Sequence, residues 1–407
     1  MRAVGSMICL AVFVAGCAAA QQGPRSGNGD KLYEAVSAGD SPMLAVIDSR
    51  SHSADRRLSL GAASADWKHV YTIVATSLVD TDPTTGATRK TIQLHGTYQL
   101  PRATANGVPG GLSPNGRWLV VERFDESAGQ MPKASHMILI DTLTYSVRRQ
   151  VDLSGYFQFD AVSDSGDNLY LIQHVNGREY YVRLYDVPSG LLTDNIVVDK
   201  SDGTQAMAGL RLSGVATPDG QWLFSMYVRE HEAPFIHALS LVGPFAFCLD
   251  LPGDGYADDP GEMHWSLAMK PDGSVLYATN PVTGVVAVIS TGANGAPDII
   301  RTGRIDKSGG AGGTTQSVNT AVVSGNDVVV GGPAGVAWID ASSLKVRSRT
   351  LDGWHIASVG LSPDGHTLYA VSDAGRIAEI ATGSAAVVGI FDPLAGKPMA
   401  LMRVAAA

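Results

Sequence analysis

Ser362-Pro363-Asp364-Gly365-His366-Thr367-Leu368-Tyr369 is a turn phrase running into a strand that carries an aromatic residue, and it recurs along the chain. Close copies are Lys270-Pro271-Asp272-Gly273 up to Tyr277, Thr217-Pro218-Asp219-Gly220 up to Phe224, and Ser113-Pro114-Asn115-Gly116 up to Val120. Looser ones run from Ser163 to Tyr170, from Ser64 to Tyr71 and from Ser26 to Tyr33, with a shortened one from Ser324 into Val328-Val329-Val330. Their starts at 26, 64, 113, 163, 217, 270, 324 and 362 leave intervals of 38, 49, 50, 54, 53, 54 and 38 residues. Units of this size cannot each bury an apolar face alone, so they must stack or close on one another.

One unit reads as four short strands. Ile356 to Leu361 precedes the turn phrase, Leu368 to Val371 follows it, and Ile377 to Ile380 and Val387 to Ile390 complete the set across Ser372-Asp373-Ala374-Gly375 and Thr382-Gly383-Ser384. The third strand has its own signature, seen in Ile138-Leu139-Ile140-Asp141, Val182-Arg183-Leu184-Tyr185-Asp186, Val286-Ala287-Val288-Ile289-Ser290 and Val336-Ala337-Trp338-Ile339-Asp340. An Asp or Ser there sets the next turn by accepting from backbone amides, so these carboxylates read as turn formers.

The sequence therefore predicts an all-β propeller of four-stranded blades, eight by the count of copies, with seven as the alternative if the first copy only decorates the last blade. The first copy has only a tether upstream, and Pro398-Met399-Ala400-Leu401-Met402-Arg403-Val404 is a lone apolar strand at the other end. We expect this strand to join Leu32 to Val36 and Leu44 to Asp48 in one composite blade, which seals the ring and removes two sheet edges.

Three segments follow: a signal peptide over 1–16, a lipidated Cys17 with a flexible tether over 17–29, and a single propeller domain over 30–407. Arg2 opens the first, Met7 to Val14 is apolar but too short to span a bilayer, and Val14-Ala15-Gly16-Cys17 closes it. That closing phrase resembles the bacterial lipobox, whose cysteine is acylated and becomes the first mature residue. The resemblance implies an exported protein anchored to the outer face of a bacterial membrane. Ala18 to Gly29 has no hydrophobic period and reads as the tether.

Across 407 residues, 46 glycines, 45% hydrophobic and 17% charged residues suit a turn-rich β chain. Net charge is −9 with the basic residues scattered, which excludes a surface that tracks nucleic-acid phosphates. Three cysteines, Cys9, Cys17 and Cys248, form no disulfide framework, and Cys248 in the apolar run 244–249 reads as a small hydrophobe.

The phrase Ser-Pro-Asp-Gly-x-x-Leu-Tyr-x-Val with a following strand ending Ile-Asp resembles the YVTN-type bacterial propellers and, more loosely, the TolB-like repeats. The likeness runs from about Ser26 to Val404. It implies architecture far more than activity. The Gly-His to Trp-Asp pairing of WD repeats and the quinoprotein phrase are absent.

Propeller ligands meet the funnel where inner strands begin. The residues just upstream include Arg211, His264, Trp265, Asn319, Trp354 and His355, with Phe157 and Gln158 from another blade. Met263-His264-Trp265 and Trp354-His355 put imidazole and indole groups at near-equivalent points of two blades. They suit ligand binding, with His264 and His355 as metal ligands or acid/base groups, Glu262 nearby and Arg211 holding an anion; otherwise they line a solvated channel or cap strand ends. The loop 253–262 concentrates Asp254, Asp258, Asp259 and Glu262, oxygen donors suited to a divalent cation but off the EF-hand pattern. No nucleophile elbow, phosphate loop, His-Glu-x-x-His helix or paired-cysteine motif appears. The expected role is a ligand-binding or protein-binding scaffold, with an envelope protein or a small molecule as partner. The alternative is a propeller hydrolase or lactonase that uses a funnel metal.

Overall fold

The computed structural model describes residues 29–39, 41–125, 130–197, 206–292, 295–306 and 320–406. The expected signal peptide, Cys9, Cys17, all but the end of the expected tether and Asn319 lie outside the described residues. Eight antiparallel sheets follow one another, and we number them blades 1 to 8 in chain order. No helix among the described residues is long and apolar enough to cross a membrane.

Blade 8 shows the plan, with strands Ile356–Leu361, Thr367–Ser372, Ile377–Ala381 and Ala386–Phe391 in that order from axis to rim. Its turn phrase is a small hydrogen-bonded unit. Ser362 Oγ donates to Asp364 Oδ1 at 2.5 Å and accepts from Thr367 N at 2.9 Å, while Asp364 Oδ1 accepts from His366 N at 2.9 Å. Gly365 supplies the left-handed residue, with φ +73°. The same bonds recur in Ser113/Asn115 and Thr217/Asp219. In Ser64/Asp66 they survive with Trp67 at φ 57° where glycine would sit. The strand-end aspartates are turn formers as expected: Asp141, Asp186 and Asp340 each accept from amides two or three residues on. Hydrogen bonds from Ser342 and Ser343 pull Asp340 down to about 2.

Blade 1 is composite. The C-terminal strand Lys397–Ala405 pairs with Lys31–Ala38 from Lys31↔Ala405 to Ser37↔Lys397, and Ser41–Asp48 and Ser53–Ser59 follow outward. The count is eight, and the seven-blade alternative is set aside.

The middle strands of each blade are apolar on both faces because each blade packs on two neighbours, whereas the outermost strands, such as Ser53–Ser59 and Thr88–Gln93, are largely exposed. The core is accordingly a ring of eight apolar clusters, one per seam: Tyr369, Val371, Leu32 and Leu401 between blades 8 and 1, for example, and Trp118, Val120, Leu169 and Leu171 between blades 3 and 4. Fully burying one such Leu or Val is worth about 1.5–3 kcal/mol, so the seams hold the ring.

Blades 3 and 4 depart from the four-strand expectation. Blade 4 adds the short strand Met207–Ala208, paired to Glu179–Asp186. In blade 3 the regular strands are only Trp118–Phe124, Ala134–Asp141 and Ser146–Ser154, and the inner strand is reduced to bridges at Gln99↔Glu122 and Leu112↔Leu119. Between those bridges, residues 101–110 leave the sheet as a hairpin, with an Arg102↔Pro109 bridge and bonds Ala103 N→Val108 O of 2.8 Å and Gly110 N→Pro101 O of 2.7 Å. Gly111, at φ +105°, lets the chain return to the sheet where a Cβ would lie 2.6 Å from the Val120 carbonyl.

Candidate functional site

The hairpin crosses the axis. Ala105 N donates to Leu212 O at 2.8 Å on the inner strand of blade 5, and Asn106 Nδ2 donates to Met399 O at 2.8 Å on the inner strand of blade 1, opposite in an eight-bladed ring. Val108 packs into the seam of blades 1 and 2. Leu212 is the extra residue of a bulge between Arg211↔Tyr227 and Ser213↔Met226, which makes its carbonyl available to the hairpin.

Alongside the hairpin, blades 3, 4 and 5 enclose a cavity of about 650 Å³, within the range of small-molecule sites. Glu122, on the second strand of blade 3, is buried in its wall. Its Oε2 accepts from Phe159 N at 3.0 Å, and burial, opposed by bonds from Phe159 and Gln99 and by the Arg102 charge, pushes its pKa up to about 7. Arg102 is exposed, sits on the hairpin and forms no ion pair among the described residues. His174 Nε2 lies 2.7 Å from Gln158 Oε1, and burial lowers its pKa. Its ring stacks on Tyr156 at 4.4 Å, and Tyr156 stands at right angles to Phe124, 5.2 Å away.

A second recess of about 190 Å³ shares Arg102, Phe159 and Arg211 with the first and reaches toward blade 2. There Arg211 donates to Asp160 Oδ1 at 3.0 Å. Asp160 is a bulge residue between Phe159↔Leu171 and Ala161↔Tyr170, its carboxylate is nearly fully buried, and its Oδ2 has no hydrogen-bond partner among the described residues.

The residues named from sequence separate in three dimensions. Arg211 and Gln158 line the large cavity. His264 and His355 come together in a different recess, of only about 50 Å³, with Asp373 and Lys397. His355 Nδ1 lies 3.8 Å from Asp373 Oδ2, and burial lowers the pKa of His264. Trp265 is not at the funnel surface: it is fully buried in the seam of blades 5 and 6, donating from Nε1 to Glu262 Oε2 at 2.6 Å. Phe157 is likewise core, in the seam of blades 3 and 4. Trp354 packs at the edge of blade 8 beneath Arg376, 4.8 Å from its ring.

The carboxylates of the acidic loop go to separate partners. Glu262 is buried against Trp265, Asp259 caps the short helix Pro260–His264 through Gly261 N at 2.8 Å, and Asp258 faces His231 at 3.2 Å. Among the described residues there is no group of three or more His, Cys, Asp or Glu placed to hold a metal. The loop turns back on Arg229-Glu230-His231-Glu232, with Tyr256 N and Ala257 N donating to the Arg229 and Glu230 carbonyls at 2.9 Å.

Arg102, Glu122, Asp160 and His174 escaped the sequence reading. Their signal was there: Glu122-Arg123 interrupts the apolar run from Trp118, and Asp160 lies inside a strand, both departures from blade patterning. The hairpin left only Gly107-Val108-Pro109-Gly110-Gly111 as a trace.

No family model matches the sequence, and no curated sequence matches it. Among solved structures, the fold is similar to the dihydro-heme d1 dehydrogenase NirN in complex with DHE, at 15% identity over 90% of this chain and 74% of that one, with a TM-score of 0.54. Weaker likenesses are the periplasmic gluconolactonase PpgL of Pseudomonas aeruginosa, at 17% identity over 91% and 97% with a TM-score of 0.43, and hydrazine synthase of Kuenenia stuttgartiensis, at 16% over 88% and 96% with 0.44. At such identities the likeness is one of fold alone.

Proposed function

We propose that this propeller is an exported, lipid-anchored binding module that holds a small molecule in the cavity between blades 3, 4 and 5. The observation that carries the binding role is the cavity itself. It is large enough for a small molecule, walled by aromatic rings, and furnished with convergent polar groups on rigid strands. Export and anchoring rest on the sequence of residues 1–17 and its likeness to a lipobox. The repeat's resemblance to YVTN-type and TolB-like propellers agrees with a binding scaffold.

Native mass spectrometry of the full chain, purified from its own membranes, tests the binding role. The chain should carry an additional small molecule that Gln158→Trp, which puts a bulky indole into the cavity, removes. A bound species retained equally by the variant, or none in either protein, overturns the reading. Cys17→Ser should move the chain from the membrane to the soluble fraction, and unchanged membrane retention would refute the anchor.

A further inference from the structure

The cavity and its adjoining recess are balanced in charge, unlike the chain as a whole. The chain carries −9, yet the cavity and its adjoining recess hold two guanidiniums, Arg102 and Arg211, against the carboxylates of Asp160 and Glu122. Arg211 is committed to Asp160 at 3.0 Å. Arg102 is not committed: it rides on the hairpin, is exposed, and has no ion pair among the described residues. It nevertheless lines both the cavity and the adjoining recess, on the side of Glu122 and Tyr156. A planar guanidinium with its fork unoccupied is the natural partner of one carboxylate, which it binds through two parallel hydrogen bonds.

Next to it stand three packed rings. Tyr156 stacks on His174 and stands at right angles to Phe124, so the three form a fixed aromatic corner. Burial keeps Glu122 substantially protonated below neutrality, and in that form it does not repel an anion and can donate to one. A phosphate dianion would need more than one unpaired cation, and an organic cation would meet Arg102.

We infer that the cavity takes a small organic carboxylate with a flat apolar body, its carboxylate gripped by Arg102 and its body set in the corner between Tyr156 and Phe124. The inference rests on the cavity being the binding site.

Calorimetric titration of the full chain at pH 6 with 2-naphthoate and with its uncharged isostere 2-naphthamide tests it. Naphthoate should bind at least tenfold tighter than the amide, and Arg102→Gln should bring it down to the affinity of the amide with unchanged melting. Arg102→Lys should keep part of the preference, because charge remains but the fork is lost. Equal affinities, an indifferent Arg102→Gln, or no saturable binding of either probe overturns the carboxylate assignment. Gln158→Trp separates the two readings. If it abolishes binding of two equally bound probes, the cavity stands and the ligand class falls; if it changes nothing, the cavity reading falls as well.

Discussion

The seam that closes the ring and the cavity on its far side both bury carboxylates, but with opposite consequences. Around blade 1, Glu34 lies on the strand face that carries Leu32 and Val36, and its Oε1 has no hydrogen-bond partner among the described residues. Burial alone pushes Glu34 up to about 8, and burial with the nearby Asp30 charge pushes Glu379 of blade 8 up to about 7. Across the ring, Asp160 is buried to the same degree but paired with Arg211, and Glu122 accepts a backbone amide at a cavity wall. At the seam the acids add cost to a packed interface; at the cavity they are held by cations and donors around a space. Burial alone therefore does not mark a site, whereas burial together with partners and room does.

Deleting residues 397–407 would affect the comparison most. It removes the inner strand of blade 1 and exposes the edge of Lys31–Ala38, so circular dichroism on heating should show no cooperative transition. A folded, cooperatively melting product would show that the cavity side holds the ring without closure.

Next is Glu34. Its pKa is raised in the folded state, so its contribution is full below the unfolded value of about 4.5 and is lost as pH rises toward 8, with the unfolded chain the easier one to ionise. The loss amounts to about 4–5 kcal/mol. Urea unfolding should show stability falling across that window, and Glu34→Leu should reduce the fall, leaving the part due to Glu122 and Glu379, and stabilise the protein at pH 9. A slope that Glu34→Leu leaves intact would assign the effect elsewhere.

The matching change on the cavity side should have the opposite sign. Arg211→Met leaves Asp160 buried without its cation and should destabilise by about 3 kcal/mol, with Asp160→Asn added to it restoring most of the loss. Additive losses in that double-mutant cycle would mean that the pair is not coupled.

The smallest effect is expected at the turn phrase of blade 8. Asp364→Ala removes acceptors for Ser362 Oγ and His366 N and should cost about 1 kcal/mol, read as a small drop in melting temperature. A change of several kcal/mol would mean that the turn, and not the seam, limits the stability of blade 8.

Much of this was legible before any coordinates. The strands of blade 8 fall where the turn phrases place them, and the pairing of Leu32↔Val404 fulfils the expectation of a shared blade. The candidate site was legible only in part. Arg211 was found because it stands at the start of an inner strand, and His264 and His355 do share a recess. Trp265 has the same placement in sequence but turns into a seam, and only its neighbours in space decide that.

By itself the sequence determined the repeat, the blade and the closure, because these depend on local turn chemistry and on apolar runs of strand length, which are written in consecutive residues. Only the tertiary structure decided that residues 101–110 desert blade 3 to bridge blades 1 and 5, and that Arg102, Glu122, Tyr156 and Arg211 face one space. The physical reason is range: a turn is settled by bonds across a few residues, whereas a cavity is settled by where separate blades stop touching, and no short stretch of chain records that.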